Sequence, residues 1–254
     1  MLININQDVL STLSKTELEV IQFINANVEQ LPTLSIVDIA YETYSSPATV
    51  SRAIRKCGIN GFNELRYKTT AKTKDNEVHH VGEIMNKSLI EVQRLLEQIS
   101  ISDILNVIEI FKQSSRIYVL GRGLSEFVGE EFTFKLQLLG FDAVFIHDPN
   151  IMKIKSQHLK KSECLFSFSL NGKTEEIIEA CKNAKLGGAK VISCYCNGES
   201  KLSELSDYSL IGFQHPHVAI STYEVSSRVS LSMVARIIID YIASDIEGEK
   251  SFSV

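Results

Sequence analysis

The 254-residue chain is 44% apolar and 22% charged, with a formal net charge of −5. These are the values of an ordinary globular protein, and they exclude wholesale disorder, collagen-like repeats and disulfide-dense miniature domains. No apolar run reaches the ~18 residues of a membrane helix, and MLININQDVL lacks the basic start and long apolar stretch of a signal peptide, so the expected location is the cytoplasm.

Taken whole, the acidity argues against a nucleic-acid partner, but its distribution points the other way. Residues 1–49 hold one base against six acids, whereas residues 50–74 hold seven bases against Glu64 alone, a local charge of +6. The rest of the chain is again acidic. The five cysteines (57, 164, 181, 194 and 196) are odd in number, with no C-x-x-C pair and no histidine at zinc-ligand spacing. They are read as buried, reduced thiols, and neither a metal nor a cofactor is expected.

The first ~75 residues show only helical signals. Ser14-Lys15-Thr16-Glu17 is a capping box, followed by an apolar face of Leu18, Ile21, Phe23 and Ile24. Ser35 opens a second short helix with Asp38 near its positive end. A third starts at Ser46 as N-cap with Pro47 in the first helical position, and stops at Gly58 after Cys57. A turn of only about Tyr44-Ser45 between helices two and three predicts a helix-turn-helix.

On a 3.6-residue period Val50, Ala53, Ile54 and Cys57 face inward in the third helix, leaving Ala48, Thr49, Ser51, Arg52 and Arg55 outward. Hydroxyls bind phosphates, an alanine touches a thymine methyl, and arginine forks onto guanine or clamps a phosphate. Ser46, Lys56, Arg66 and Lys68 complete the candidate DNA-binding set. The alternative is a solvated helix face.

Val81, Met85, Ser88, Val92, Leu95 and Ile99 then recur at steps of three and four, a heptad-type seam that either packs on its own domain or pairs with another subunit. From Arg116 the pattern becomes strand, loop, helix. RIYVL (116–120), AVFIH (143–147), CLFSFS (164–169), KVISC (190–194) and YSLIGF (208–213) are predicted strands. One helix ends at Gly140 and another runs from Glu175 to Leu186 before Gly187-Gly188. This alternation predicts an α/β domain with a mainly parallel sheet, whose ligands bind beyond the carboxyl ends of its strands.

Three anion-binding motifs compete there. Gly121-x-Gly123 has the first two glycines of a dinucleotide fingerprint, but Glu126 occupies the third position. Asn171-Gly172-Lys173-Thr174 resembles the end of a P-loop, but the first glycine would fall at Ser167 inside a strand. The reading that fits every residue is a hydroxyl- and amide-rich turn, Ser169 to Glu176, leading into a helix whose free amides hold a phosphomonoester, with Ser125 approaching from the other loop. The alternative is that Ser169 and Thr174 merely cap that helix.

The stretch TLSIVDIAYETYSSPATVSRAIRKCGINGFNELR, with its S-x-x-T-V-S-R core and following G-x-x-G-F, resembles the amino-terminal helix-turn-helix of the RpiR/MurR family of bacterial transcription regulators. GRGLS, LGFDA, S-x-N-G-x-T-x-E, A-K-x-x-G-A-x-V-I and the SSR assigned to the last long helix resemble that family's SIS (sugar isomerase) domain. The resemblance implies a helix-turn-helix domain (1–76), a helical linker (77–105) and a SIS domain (106–254). It further implies operator DNA and a phosphorylated sugar as partners, no membrane, and a homodimer or higher homo-oligomer.

By resemblance the phosphate-binding residues are Ser125, Ser169 and Thr174, and Gly121, Gly123 and Gly172 of the same loops join them in the candidate ligand-binding set. Asn171 stands where the family commonly has a second serine, and Glu224 is placed to meet sugar hydroxyls at the start of the final helix. A regulator without catalytic activity is therefore expected. The rival is a SIS-type aldose–ketose phosphate isomerase with an accessory helical domain. Its base would have to be Glu224, His147, His158 or His215, none of which sits in a motif specifying that role.

Overall fold

A short helix, α1 (Gln7–Thr12), precedes α2 (Lys15–Ala26), which begins at the expected capping box: Ser14 Oγ accepts the Glu17 N–H and the Glu17 carboxylate accepts the Ser14 N–H. Ser35 and Asp38 make the same reciprocal pair at the start of α3 (Ile36–Glu42). Ser46 caps α4 (Pro47–Lys56) with Pro47 in the first turn, and Gly58 follows at φ +81° as the left-handed stop. Helix α5 (Phe62–Thr70) carries Arg66 and Lys68 of the basic segment, and α6 is one helix from Asn76 to Gln98.

The computed structural model describes residues 2–3, 7–70, 76–196, 198–215 and 225–251, in two compact units, 1–89 and 90–254. In the first unit Val20, Ile21, Ile24, Ile39, Val50, Ala53, Ile54 and Leu65 form one core, so the inward face predicted for α4 is the buried one. Of the heptad-type seam on α6, Leu95 is fully buried, whereas Val81 and Met85 are half-exposed.

The second unit begins with the end of α6 and α7 (Ile101–Gln113). Then β1 (Arg116–Gly121), α8 (Ser125–Leu138), β2 (Ala143–Ile146), α9 (Pro149–Ser156), β3 (Glu163–Ser169) and α10 (Glu175–Gly187) follow in order. The chain continues through β4 (Lys190–Cys196), α11 (Lys201–Leu205), β5 (Tyr208–Gly212) and α12 (Val229–Ser251). The five strands are all parallel, in the order β2-β1-β3-β4-β5. Phe111, Phe132, Phe166 and Phe168 build the core on one face with α7, α8 and α12, while Tyr118, Leu165, Ile177 and Tyr195 pack on the other with α9, α10 and α11.

The order reverses beside β1, which places the topological switch point at the carboxyl ends of β1 and β3. The SSR motif lies before α12 rather than within it, because residues 225–228 are not helical and α12 begins at Val229. Four cysteines are buried free thiols and Cys57 is half-buried. Burial pushes Cys181 up to about 11 and Cys164 and Cys196 up to about 12. No described helix is long and apolar enough to cross a membrane.

Candidate functional site

The predicted residues fall into two groups, one in each unit. On α4, Ala48, Arg52 and Arg55 are exposed and Thr49 and Ser51 half-buried along the face opposite the core. Ser46 Oγ accepts the Thr49 N–H (3.1 Å) and lies 2.9 Å from Thr49 Oγ1, to which Arg52 Nη2 also donates at 3.4 Å. The turn before α4 contains Tyr44 at φ +49°, the only described non-glycine residue in the left-handed region, and it is 98% exposed.

The other predicted cations are engaged elsewhere. Lys56 Nζ donates to the Glu17 carboxylate at 2.6 Å and to the Thr12 carbonyl at 2.8 Å. Glu17 is only 4% exposed, and the Lys56 hydrogen bond, followed by the Ser14 N–H, holds its carboxyl below the ordinary carboxylate value. This pair ties α4 to α2. Arg66 lies over the Phe62 ring (4.9 Å) with Nη1 3.6 Å from Met85 Sδ, and Lys68 pairs with Glu64 one helical turn away. Lys72 and Lys74 lie outside the described residues. The exposed cations of this face are therefore Arg52, whose Nε lies 3.8 Å from Glu17 Oε1 while its side chain stays 66% exposed, and Arg55, a narrower set than the charge count implies.

In the second unit the loops after β1 and β3 leave adjacent strands, since Gly121 pairs with Phe168. Gly121 has no room for a side chain: a Cβ would fall 2.7 Å from the Ser125 carbonyl oxygen, so only glycine lets the strand turn directly into α8. Ser125, in the first turn of α8, is buried. The Glu126 carboxylate accepts the Gly123 N–H (3.1 Å) and Arg122 Nη1 (2.9 Å), and Arg122 also donates to the His147 carbonyl. The Gly123 amide is thus already engaged, and Arg122 is a cation of this loop that sequence reasoning passed over although its i,i+4 acidic partner was visible.

At the end of β3, Ser169 is buried and its Oγ lies 3.2 Å from Thr174 Oγ1. Thr174 stands at the N-cap position of α10, yet its side chain makes no capping hydrogen bond. The expected alternative, in which these hydroxyls merely cap the helix, is therefore not the arrangement found. Helices α2, α3, α4, α7, α9 and α11 each have a side-chain cap; α8 and α10, which start beyond β1 and β3, do not. In α8 the Ser125 and Glu126 amides donate instead to the Arg122 and Gly123 carbonyls, whereas the first-turn amides of α10 have no capping side chain and favour an anion.

Gly172 holds φ +61° with its carbonyl accepting Ser200 Oγ at 2.6 Å, and a Cβ there would fall 2.2 Å from that oxygen. Ser200 thus fixes the loop from 28 residues away, a role with no sequence signal. Asn171 is exposed at the loop tip, and Glu224 lies outside the described residues. Among the described residues no His, Cys, Asp and Glu cluster could hold a metal ion. The histidines proposed for an isomerase base are not gathered: His147 pairs with Glu130, His158 with the Ile154 carbonyl, and the His215 amide with Glu91.

Known proteins divide the chain the same way. The model of a helix-turn-helix domain, rpiR family, matches residues 1–75, and that of the SIS domain matches residues 109–237. An uncharacterised HTH-type transcriptional regulator of Clostridium perfringens is 28% identical over 232 residues, covering 85% of this chain and 82% of that relative. The Vibrio vulnificus NanR protein complexed with ManNAc-6P aligns with a TM-score of 0.61 at 22% identity, over 95% of this chain and 91% of that one. The sugar isomerase domain of an RpiR transcription factor from Sphaerobacter thermophilus gives 0.59 at 17% identity, over 67% of this chain and 93% of that one.

Proposed function

We propose that this chain, which belongs to the SIS-domain family and carries the helix-turn-helix of the rpiR family, is a transcriptional regulator whose operator affinity is set by a phosphorylated sugar. The observation that carries the reading is the uncapped start of α10, where Thr174 Oγ1 turns onto Ser169 Oγ instead of capping its helix. In a chain with a basic recognition helix, such an anion site is a sensor. The NanR structure with ManNAc-6P, similar over most of its length, supports a phosphosugar as the class of ligand.

In this reading the phosphate accepts hydrogen bonds from Ser169, Thr174, Ser125 and the first amides of α10, with Gly121, Gly123 and Gly172 shaping the backbone around it. Asn171 donates its side-chain amide to the phosphate or to the sugar, where the family commonly has a serine. On α4, Arg52 and Arg55 contact phosphates and base edges, Ala48 and Ser51 approach the groove, and Ser46 and Thr49 orient the helix start and Arg52. Lys56 seats α4 on α2, and Arg66 and Lys68 add to the local field without making base contacts. The division is a helix-turn-helix domain over 1–76, a linker over 77–105 and a SIS domain over 106–254, acting in the cytoplasm as a homodimer or higher homo-oligomer.

Thermal-shift screening of the full chain against phosphorylated sugars tests the ligand, because a compound bound only by the native state raises its melting temperature. Selection of genomic fragments at physiological salt tests the DNA partner. Absence of any sequence preference there sinks the regulatory reading. Turnover of hexose 6-phosphates, followed by product formation, would revive the isomerase; none is expected.

A further inference from the structure

Helix α6 carries a buried acid that the sensor and the recognition helix both leave unused. Glu91 is 6% exposed, and its Oε1 accepts the His215 N–H at 3.0 Å. One helical turn on, the Arg94 guanidinium lies 4.8 Å over the Phe213 ring, and one turn further Gln98 Nε2 donates to the Ile211 carbonyl at 3.0 Å. Positions 91, 94 and 98 form one stripe of a helix, and 211, 213 and 215 are alternate residues of the chain leaving β5. The stripe is stitched to that chain in order. Two of the three contacts go to backbone groups, so they register where the strand exit lies.

The same exit is tied to the anion loop. Gly212 pairs with Cys196 across β4 and β5, and the Cys196 N–H donates to the Leu170 carbonyl at 2.8 Å, next to Ser169. There is no slack at Gly212: a Cβ would fall 2.8 Å from Ser230 Cβ and 3.1 Å from Cys196 Sγ. Ser230 Oγ in turn donates to the Phe213 carbonyl. A shift of the Ser169–Thr174 loop must therefore pass to the end of β4, to the exit of β5 and to the stripe on α6, because packed contacts of this kind change by discrete rearrangement rather than by stretching. In sequence, α6 runs back to Asn76, directly after the segment that matches the rpiR helix-turn-helix.

We propose that Glu91, Arg94 and Gln98 are the residues through which occupancy of the anion loop reaches the DNA-binding module, Glu91 being the anchor. The proposal rests on the regulatory reading above. These are positioning residues and touch neither sugar nor DNA. A buried carboxylate is stable only while its donor stays in place, so Glu91 favours one position of the β5 exit. A ligand biases such an equilibrium only through its different affinity for the two arrangements.

The test uses the full chain and a duplex selected by it from genomic fragments, with affinity read by fluorescence anisotropy. It is run with and without hexose and N-acetylhexosamine 6-phosphates, added singly. For the wild type, the sugar phosphate that raises its melting temperature most is expected to change duplex affinity by about 5- to 150-fold. In Glu91→Gln and in Gln98→Leu that change should fall to less than about a third of the wild-type factor, while sugar-phosphate affinity and sugar-free duplex affinity each stay within about threefold. Variants that keep the full response overturn the proposal, as does Glu91→Gln losing sugar-phosphate binding outright, which would make it a ligand contact. If Glu91→Gln does not fold, the exposed Gln98→Leu decides alone. A wild type that binds sugar phosphate without any change in duplex affinity removes the regulatory reading, and the coupling with it.

Discussion

On α4 the candidate phosphate contacts are two arginines on an exposed helix face, whereas beyond β1 and β3 they are the buried Ser125 and Ser169 hydroxyls, the half-buried Thr174 hydroxyl and helix amides, with no lysine or arginine in the proposed set. The difference follows from the two ligands. A duplex presents a long array of charges, and binding to it is driven by counterion release, so mobile cations on an open surface suffice. A single phosphomonoester has to be held at one point against water, and fixed donors at a helix start do this with little reorganisation. Net charge reports the first kind of site and is blind to the second, which is why an acidic unit can hold an anion.

Removing both hydroxyls of the sensor loop gives the sharpest break of this comparison. Ser169→Ala with Thr174→Val should lower sugar-phosphate affinity by roughly a hundredfold or more in calorimetry, the value of two hydrogen bonds to a charged group. The fold should survive, because the two hydroxyls bond each other and both are replaced by apolar groups. Sugar-free duplex binding should be unchanged. Arg55→Ala should do the converse: about tenfold weaker duplex binding, a salt slope shallower by about 1, and unaltered sugar-phosphate affinity.

Lys56→Met separates a cation that binds from one that builds. It should cost about 2 kcal/mol of stability in urea melts by leaving the buried Glu17 carboxylate only the Ser14 N–H and the more distant Arg52, less than for a fully buried pair because the Lys56 side chain is 35% exposed. The pH dependence follows from the lowered Glu17 carboxyl. Its contribution is complete above the ordinary carboxylate value and fades as pH falls through the lowered one, so wild type and variant should converge in acid. The smallest effect is a gain. Tyr44→Gly removes a side chain from the left-handed region and should raise the melting temperature by a few degrees, about 1 kcal/mol.

Much of this was legible from local pattern. The caps at Ser14, Ser35 and Ser46, the stop at Gly58 and all five strands fall within about two residues of their expected positions, because capping and short buried parallel strands are properties of a few consecutive residues. Helix α9 has no counterpart among the expected elements although Asp148-Pro149 is a regular start signal, and the SSR motif precedes α12, which begins only at Val229.

What the sequence by itself determined is therefore the organisation: a basic helix-turn-helix followed by a parallel α/β domain with a hydroxyl-rich turn after one strand. Tertiary structure alone decided which of those groups are free. Lys56 meets Glu17 across 39 residues, Ser200 holds Gly172 across 28, and Glu91 meets His215 across 124. A cation neutralised or a loop pinned by a partner so far along the chain leaves no trace in local periodicity, because the partner is chosen by packing. The same packing left Thr174 facing Ser169 rather than capping its own helix, and so turned a common helix start into the proposed sensor.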